Sequence, residues 1–309
     1  MKGIDLSREF YEQIGLPMLE EHFKDKLDRI AVGFLGHGSE CFGFDDEISK
    51  DHDYEPGFCI WLTEEDEKDF GFRLMRAYSK LPKEFMGYQC SNKSLFGKTT
   101  CGVTTIQEFY KGYTGRKGAP ETMYDWLYTP SHYLAEATNG VVFSDPLGEF
   151  TKIRNEILFG MPADVRLKKI ASCAFKMAQS GQYNYMRCIK HGEIGAARLA
   201  LNEFVDQCAN IAFLLDKKYA PYYKWIFRAM KDLPSHSFLA DKLERLLTLQ
   251  SEKHQEISKL IEEISVDVIS SLNSEGLSNV ASDYLEPHAY SINEKIKDHD
   301  LRNSSIILQ

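Results

Sequence analysis

The chain has 309 residues, of which 43% are hydrophobic, 12% aromatic and 27% charged. That composition excludes a disordered protein and allows one large domain or two modest ones. The formal net charge of -9 argues against broad, sequence-independent binding to a nucleic-acid backbone.

Residues 5–27 read as helical, with Leu16, Met18, Leu19 and Phe23 near helical spacing. Residues 30–35 (IAVGFL) form a short apolar run that enters a glycine turn, which by length and flanks is a buried strand. Residues 58–62 (FCIWL) form a second such run. Thr63 followed by Glu64, Glu65 and Asp66 is a helix start, because Thr63 can cap and the acids suit the positive end of the helix dipole. This helix is expected to run to about Lys80, before Pro82. Further strands are expected at residues 101–106 (CGVTTI) and at 141–143, ending at Ser144-Asp145-Pro146.

Beyond residue 150 the character becomes helical. Amphipathic helix is expected from Phe150 to about Ser180, broken at Gly160-Met161-Pro162. A long helix is expected from Glu193 to Leu215, a shorter one over 220–230, and a charged helix pair over 238–273. The last shows no sustained heptads. The expected fold class is therefore α+β. Residues 1–150 make a mixed sheet with helices, and 151–309 an all-helical bundle. Seven cysteines without a CxxC pair indicate free thiols and not a disulfide framework. Residues 1–15 carry no apolar signal region, and no window approaches the roughly 18 apolar residues of a membrane span. A cytoplasmic monomer or homodimer is the expectation.

The stretch 36–56 (GHGSECFGFDDEISKDHDYEP) holds the chemistry. Gly36 and Gly38 allow a tight turn and close backbone approach, and exposed N–H groups beside the Ser39 hydroxyl suit phosphate oxygens. If Asp51 and Asp53 lie on a strand, a period of two puts both carboxylates on one face. Two adjacent carboxylates are what a hard cation such as Mg²⁺ requires, with room for two ions.

Three other patterns are weaker. Gly36-x-Gly38 lacks the third glycine of a dinucleotide fingerprint, because position 41 is Cys41. Gly97-Lys98-Thr99 lacks the earlier P-loop glycine, since that position is Asn92. His52-Asp53 would need to stand on a helix to be a phosphohydrolase pair, and the strand-like FCIWL that follows argues otherwise.

Gly38-Ser39, an eleven-residue spacer and Asp51-x-Asp53, preceded by a helix and an apolar strand, resemble the signature of the polymerase-β-like nucleotidyltransferase superfamily. Within it, the aminoglycoside nucleotidyltransferases are similar in pairing such a domain with a helical bundle. GSECFGFDDEISKDHD, ATNGVVFSDPLGEFTKIR, MAQSGQYNYMRCIKHGE and KKYAPYYKWIFRAM also resemble an uncharacterised bacterial family known only as nucleotidyltransferase-like. The resemblance implies that Gly38 and Ser39 hold the nucleotide phosphates and that Asp51 and Asp53 bind metal. It implies a third carboxylate on a later strand. Residues 101–106 carry no acid, so Glu108 and Asp145 are the candidates, with Asp45, Asp46 and Glu47 behind them.

Lys152, Arg154, Arg166, Lys168 and Lys169 are candidate triphosphate contacts, with solvated or ion-paired helix residues as the alternative. Tyr183, Tyr185, Arg187, His191 and Glu193 can line an acceptor pocket with Glu193 as general base, or simply begin a helix. Tyr222, Tyr223, Lys224 and Trp225 can stack on a base or pack in a core. The expected activity is Mg²⁺-dependent transfer of a nucleotide from an NTP, ATP first, to a small-molecule hydroxyl. The alternative is a non-catalytic nucleotide-binding or interaction protein with an incomplete metal site.

Overall fold

A computed structural model describes residues 1–48, 55–90 and 101–308. The chain divides into two compact units, Met1–Gly160 and Met161–Gln309. The α+β class holds: the first unit carries a small mixed sheet with helices, and the second is helical throughout its described residues.

In the first unit, α1 (Gly3–Phe10) passes through a wider π turn into α2 (Leu16–His22). A 3₁₀ segment (Lys24–Arg29) leads to β1 (Ala31–Phe34). β2 (Cys59–Leu62) follows, then α3 (Glu64–Asp66), a second π turn and α4 (Phe72–Tyr78). Thr63 does cap, its Oγ1 accepting from the N–H of Asp66 at 3.1 Å. A small hairpin of β3 (Glu84–Phe85) and β4 (Tyr88–Gln89) precedes β5 (Gly102–Thr105) and α5 (Ile106–Thr114). α6 (Met123–Tyr128), α7 (Ser131–Thr138), β6 (Val141–Ser144) and α8 (Glu149–Phe159) complete it.

The sheet order is β5-β2-β1-β6. β1 runs antiparallel to both β2 and β6, while β2 and β5 are parallel. Every residue of β1 and β2 is buried, as central strands covered on both faces must be. Strand alternation then sorts the side chains. Ile30, Val32, Phe58, Ile60 and Leu62 join Phe10, Leu19, Phe70 and Leu74 in one core on the α1/α2/α4 face. Trp61 points the other way and stacks on Phe150 of α8 with ring centroids 4.0 Å apart. That stack makes α8 part of the first unit, which ends at Gly160. A bulge in the β1–β6 pairing, between Val32 and Gly33, accompanies the stacking of Phe143 on Tyr11 at 5.6 Å.

In the second unit, α9 (Ala163–Met177) continues as a π segment to Tyr185 and then α10 (Met186–Lys190). α11 (Ile194–Leu215), α12 (Ile226–Met230), α13 (Phe238–Thr248), α14 (His254–Ser274), α15 (Leu285–Asn293) and α16 (His299–Asn303) follow. The helix expected over 220–230 begins only at Tyr223, as a 3₁₀ turn leading into α12. Buried Ile257, Leu260, Ile261, Ile264, Val268 and Leu272 of α14 repeat at helical spacing and close the core against α13, the π segment after α9, and α15.

Candidate functional site

β1 delivers the chain to the glycine turn. Gly36 and Gly38 both take positive φ, 117° and 109°, a conformation open to glycine and costly for other residues. Ser39 stands at the head of a 3₁₀ turn (Glu40–Phe42). The turn is held from 100 residues away. The Asn139 side chain accepts from the Gly36 N–H at 2.9 Å and donates to the Gly36 carbonyl at 2.8 Å, imitating a strand partner. The Gly140 N–H donates to the Cys41 carbonyl at 2.8 Å. A Cβ on Gly140 would stand 2.0 Å from the Phe34 carbonyl oxygen, so this close approach requires glycine. Arg154 closes the frame from α8, donating to the Thr138 carbonyl at 2.6 Å. Burial lowers its pKa, and its Nε has no hydrogen-bond partner among the described residues.

Beside the turn lies a cavity of about 360 Å³, at the end of the sheet where β1 leaves and β2 and β5 enter. Leu35, His37, Thr104, Glu108 and Tyr113 are among its lining residues. His37 sits between the two glycines, with Nδ1 2.6 Å from Oε2 of the buried Glu136. The sulfur groups at this end are poor nucleophiles. Contact with Cys59, then burial, pushes the Cys101 thiol well up, and burial does the same to Cys41. A larger cavity of about 710 Å³ lies between α2 and α4 and includes Arg73, Arg76 and Lys80, but none of the candidate catalytic, nucleotide-binding or metal-binding residues.

The candidate acids among the described residues are dispersed. Asp51 and Asp53 lie outside the described residues, as do His52 and the Asn92 to Thr99 pattern. Glu108 is in the first turn of α5, exposed, and reaches the same cavity as His37. Its N–H donates to the capping Thr105 Oγ1 at 3.1 Å, and Oε1 is 3.3 Å from Lys111 Nζ. Asp145 is not brought to the turn. It follows Ser144, which pairs with Val32, and Gly36 is four residues beyond Val32. At ~3.3 Å per residue this is roughly 13 Å along the strand. One Asp145 oxygen accepts from the Thr151 N–H at 2.7 Å. Asp45 is buried and accepts from the Gly3 N–H at 2.9 Å, anchoring α1. Glu40 is also buried, its carboxylate folded back so that a Cβ on Gly38 would meet it at 2.6 Å. Among the described residues, no group of three His, Cys, Asp or Glu side chains could hold a metal ion.

Lys152 is exposed on α8. In the second unit, Glu193 precedes α11 and is exposed. Arg166 donates to the Leu214 and Leu215 carbonyls and to Glu275, closing the end of α11. Lys168 is buried and donates to Asn293 and the Ser304 carbonyl. Both are committed within their unit. Tyr185 is buried in the core while Tyr183 is exposed under Arg187. Tyr222 and Tyr223 are exposed with rings 4.5 Å apart.

Asn139, Gly140, Glu136 and the framing role of Arg154 escaped the sequence reading. The Asn139-Gly140 dipeptide is a turn signal, but only the β1–β6 pairing shows which turn it braces.

A family model described as a domain of unknown function, DUF4037, matches residues 126–226, 101 of the chain's 309 residues. No curated protein matches the chain. Among solved structures, a nucleotidyltransferase-like protein from Exiguobacterium sibiricum 255-15 is similar at 8% identity, with 91% of this chain and 80% of that chain covered and a TM-score of 0.38. That TM-score is too low to establish a shared fold. No helix among the described residues is long and apolar enough to cross a membrane.

Proposed function

We propose that the chain is a nucleotidyltransferase that takes an NTP, ATP first, at the glycine turn and moves its nucleotidyl group to a hydroxyl of a small-molecule acceptor. The observation that carries this reading is the turn itself: two positive-φ glycines ending a central strand, a serine at the head of the next turn, and a cavity with a carboxylate alongside. Backbone N–H groups in such a turn suit phosphate oxygens, and the Ser39 hydroxyl adds a donor. The braces from Asn139, Gly140 and Arg154 hold the turn in place, which is the preorganisation that charge stabilisation requires.

The donor set fits Mg²⁺ by its chemistry. Glu108 offers exposed carboxylate oxygens to the cavity, and Asp51 and Asp53 supply two more carboxylates just ahead of β2. When bound there, the ion would neutralise phosphate charge. Of the two candidates for the third acid, Glu108 is the one favoured by lining this cavity. Lys152 of α8 remains a candidate for phosphate contact.

The test is pyrophosphate release from each NTP with Mg²⁺ and a cell metabolite extract, comparing the wild type with Asp51→Asn/Asp53→Asn. Extract-dependent release that falls at least ~10²-fold in the double variant is the expected result. ATP binding without release by the wild type would instead favour the non-catalytic nucleotide-binding reading.

A further inference from the structure

We infer that His37, held by Glu136, is the general base that takes the acceptor's hydroxyl proton. This rests on the nucleotidyl-transfer reading and adds a catalytic residue to it. Nδ1 of His37 and Oε2 of Glu136 stand 2.6 Å apart, an ion-pair contact in which the Glu136 oxygen is not aligned as a hydrogen-bond acceptor; a carboxylate that close favours the tautomer with the proton on Nδ1. Nε2 is then left with its lone pair. The ring lines the cavity beside the turn and its side chain is 43% exposed, whereas the Glu136 side chain is 8% exposed. A buried carboxylate behind an accessible imidazole is the arrangement that orients a base and stabilises the imidazolium it becomes.

The position is fixed on both sides. Asn139 clamps the backbone of Gly36, immediately before His37, and Cys41 Sγ donates to the His37 carbonyl at 3.4 Å. The Tyr113 ring of α5 packs 5.7 Å from the imidazole. The titratable groups that surround it are Glu136 and His132 from α7, Tyr113 and Glu108 from α5, and Glu40 and Cys41 from the turn. Burial lowers the pKa of His132 and raises that of Tyr113, so neither competes as a charged group near neutral pH.

In the step, the acceptor oxygen bonds to the α-phosphorus as its proton passes to Nε2. The bond from that phosphorus to the bridging oxygen breaks, and pyrophosphate leaves with the electron pair. The proton on Nε2 then passes to solvent, restoring the base.

The experiment measures pyrophosphate release with ATP, Mg²⁺ and metabolite extract against pH, for the wild type, His37→Gln and Glu136→Gln. Binding of a fluorescent ATP analogue and thermal melting are recorded for each. The expected result is a fall of ~10²–10⁴-fold in rate for His37→Gln with analogue binding within threefold of wild type. Glu136→Gln should keep the binding and lower the rate. In ¹⁵N spectra of the wild type, His37 should show a proton on Nδ1 and a lone pair on Nε2, a signature lost in Glu136→Gln. Wild-type rate and pH profile in His37→Gln would overturn the base assignment while leaving the transfer reading intact. Absence of release by the wild type itself would overturn both.

Discussion

At Gly140, conformation and space act together. Its φ is +60°, and a Cβ there would stand 2.0 Å from the Phe34 carbonyl oxygen. Backbone cannot yield as a flexible side chain can, so Gly140→Ala should cost more than the ~1 kcal/mol of a positive-φ glycine alone, on the order of 2–4 kcal/mol. Gly276, with φ +66° and nothing within 4 Å, is the control. Gly276→Ala should cost about 1 kcal/mol. Urea midpoints of the two variants test this, and equal losses would show that the contact with Phe34 does not matter. At this scale the sequence was legible in part. Gly36, Gly38 and Ser39 stand out by type and spacing, because a turn is a local event. Glu136 and Asn139 do not, because what makes them functional is a contact across 100 residues. Asp45 was misleading for the same reason: it sits in an acidic run that offers further candidates for the third carboxylate, yet it is buried against the head of α1.

Among the elements, the four sheet strands were legible as short apolar runs bounded by turns. Their order was not. β1 pairs with β6 from the far end of the unit, and this pairing decides that Asp145 leaves the turn and Asn139 reaches it. The β3–β4 hairpin has only two residues per strand, too short for a period to show. α5 and α8 are joined to β2 by one aromatic cluster. Trp61 stacks on Phe150, and the Tyr110 hydroxyl donates to the Phe150 carbonyl at 3.0 Å. Phe150 is fully buried, so Phe150→Ala should cost about 3–5 kcal/mol. The variant should also shift tryptophan emission to the red as Trp61 gains water. Unchanged emission with a normal melting temperature would mean that α8 is not packed on the sheet as described.

Over the whole molecule, the α+β class followed from where apolar runs of strand length give way to helical periodicity. The buried thiols give the chain a common pH response. Burial pushes Cys90 up to about 11 and Cys173 up to about 12, both from 9.0. Folded values above unfolded ones mean that this stability is fully present below pH 9 and is lost as pH rises through 11 and 12. Lys169 acts in the opposite sense, since burial lowers it from 10.5 to about 8. Its effect is complete by pH 10.5, so above that value only the thiol loss remains. The urea midpoint should therefore be clearly lower at pH 11.5 than at pH 9, and a flat or rising midpoint would contradict the burial of these groups.

The most direct test of the glycine turn as the triphosphate site is calorimetric titration of Mg·ATP into the wild type and Gly38→Ala. In the variant, a Cβ meets the movable end of the Glu40 side chain and φ is +109°, so the turn must distort while the cores are untouched. The expected result is binding by the wild type that weakens at least ~10-fold in the variant, about 1.4 kcal/mol, with the folded spectrum retained. Equal affinity in the two proteins, or no binding by the wild type, would contradict it.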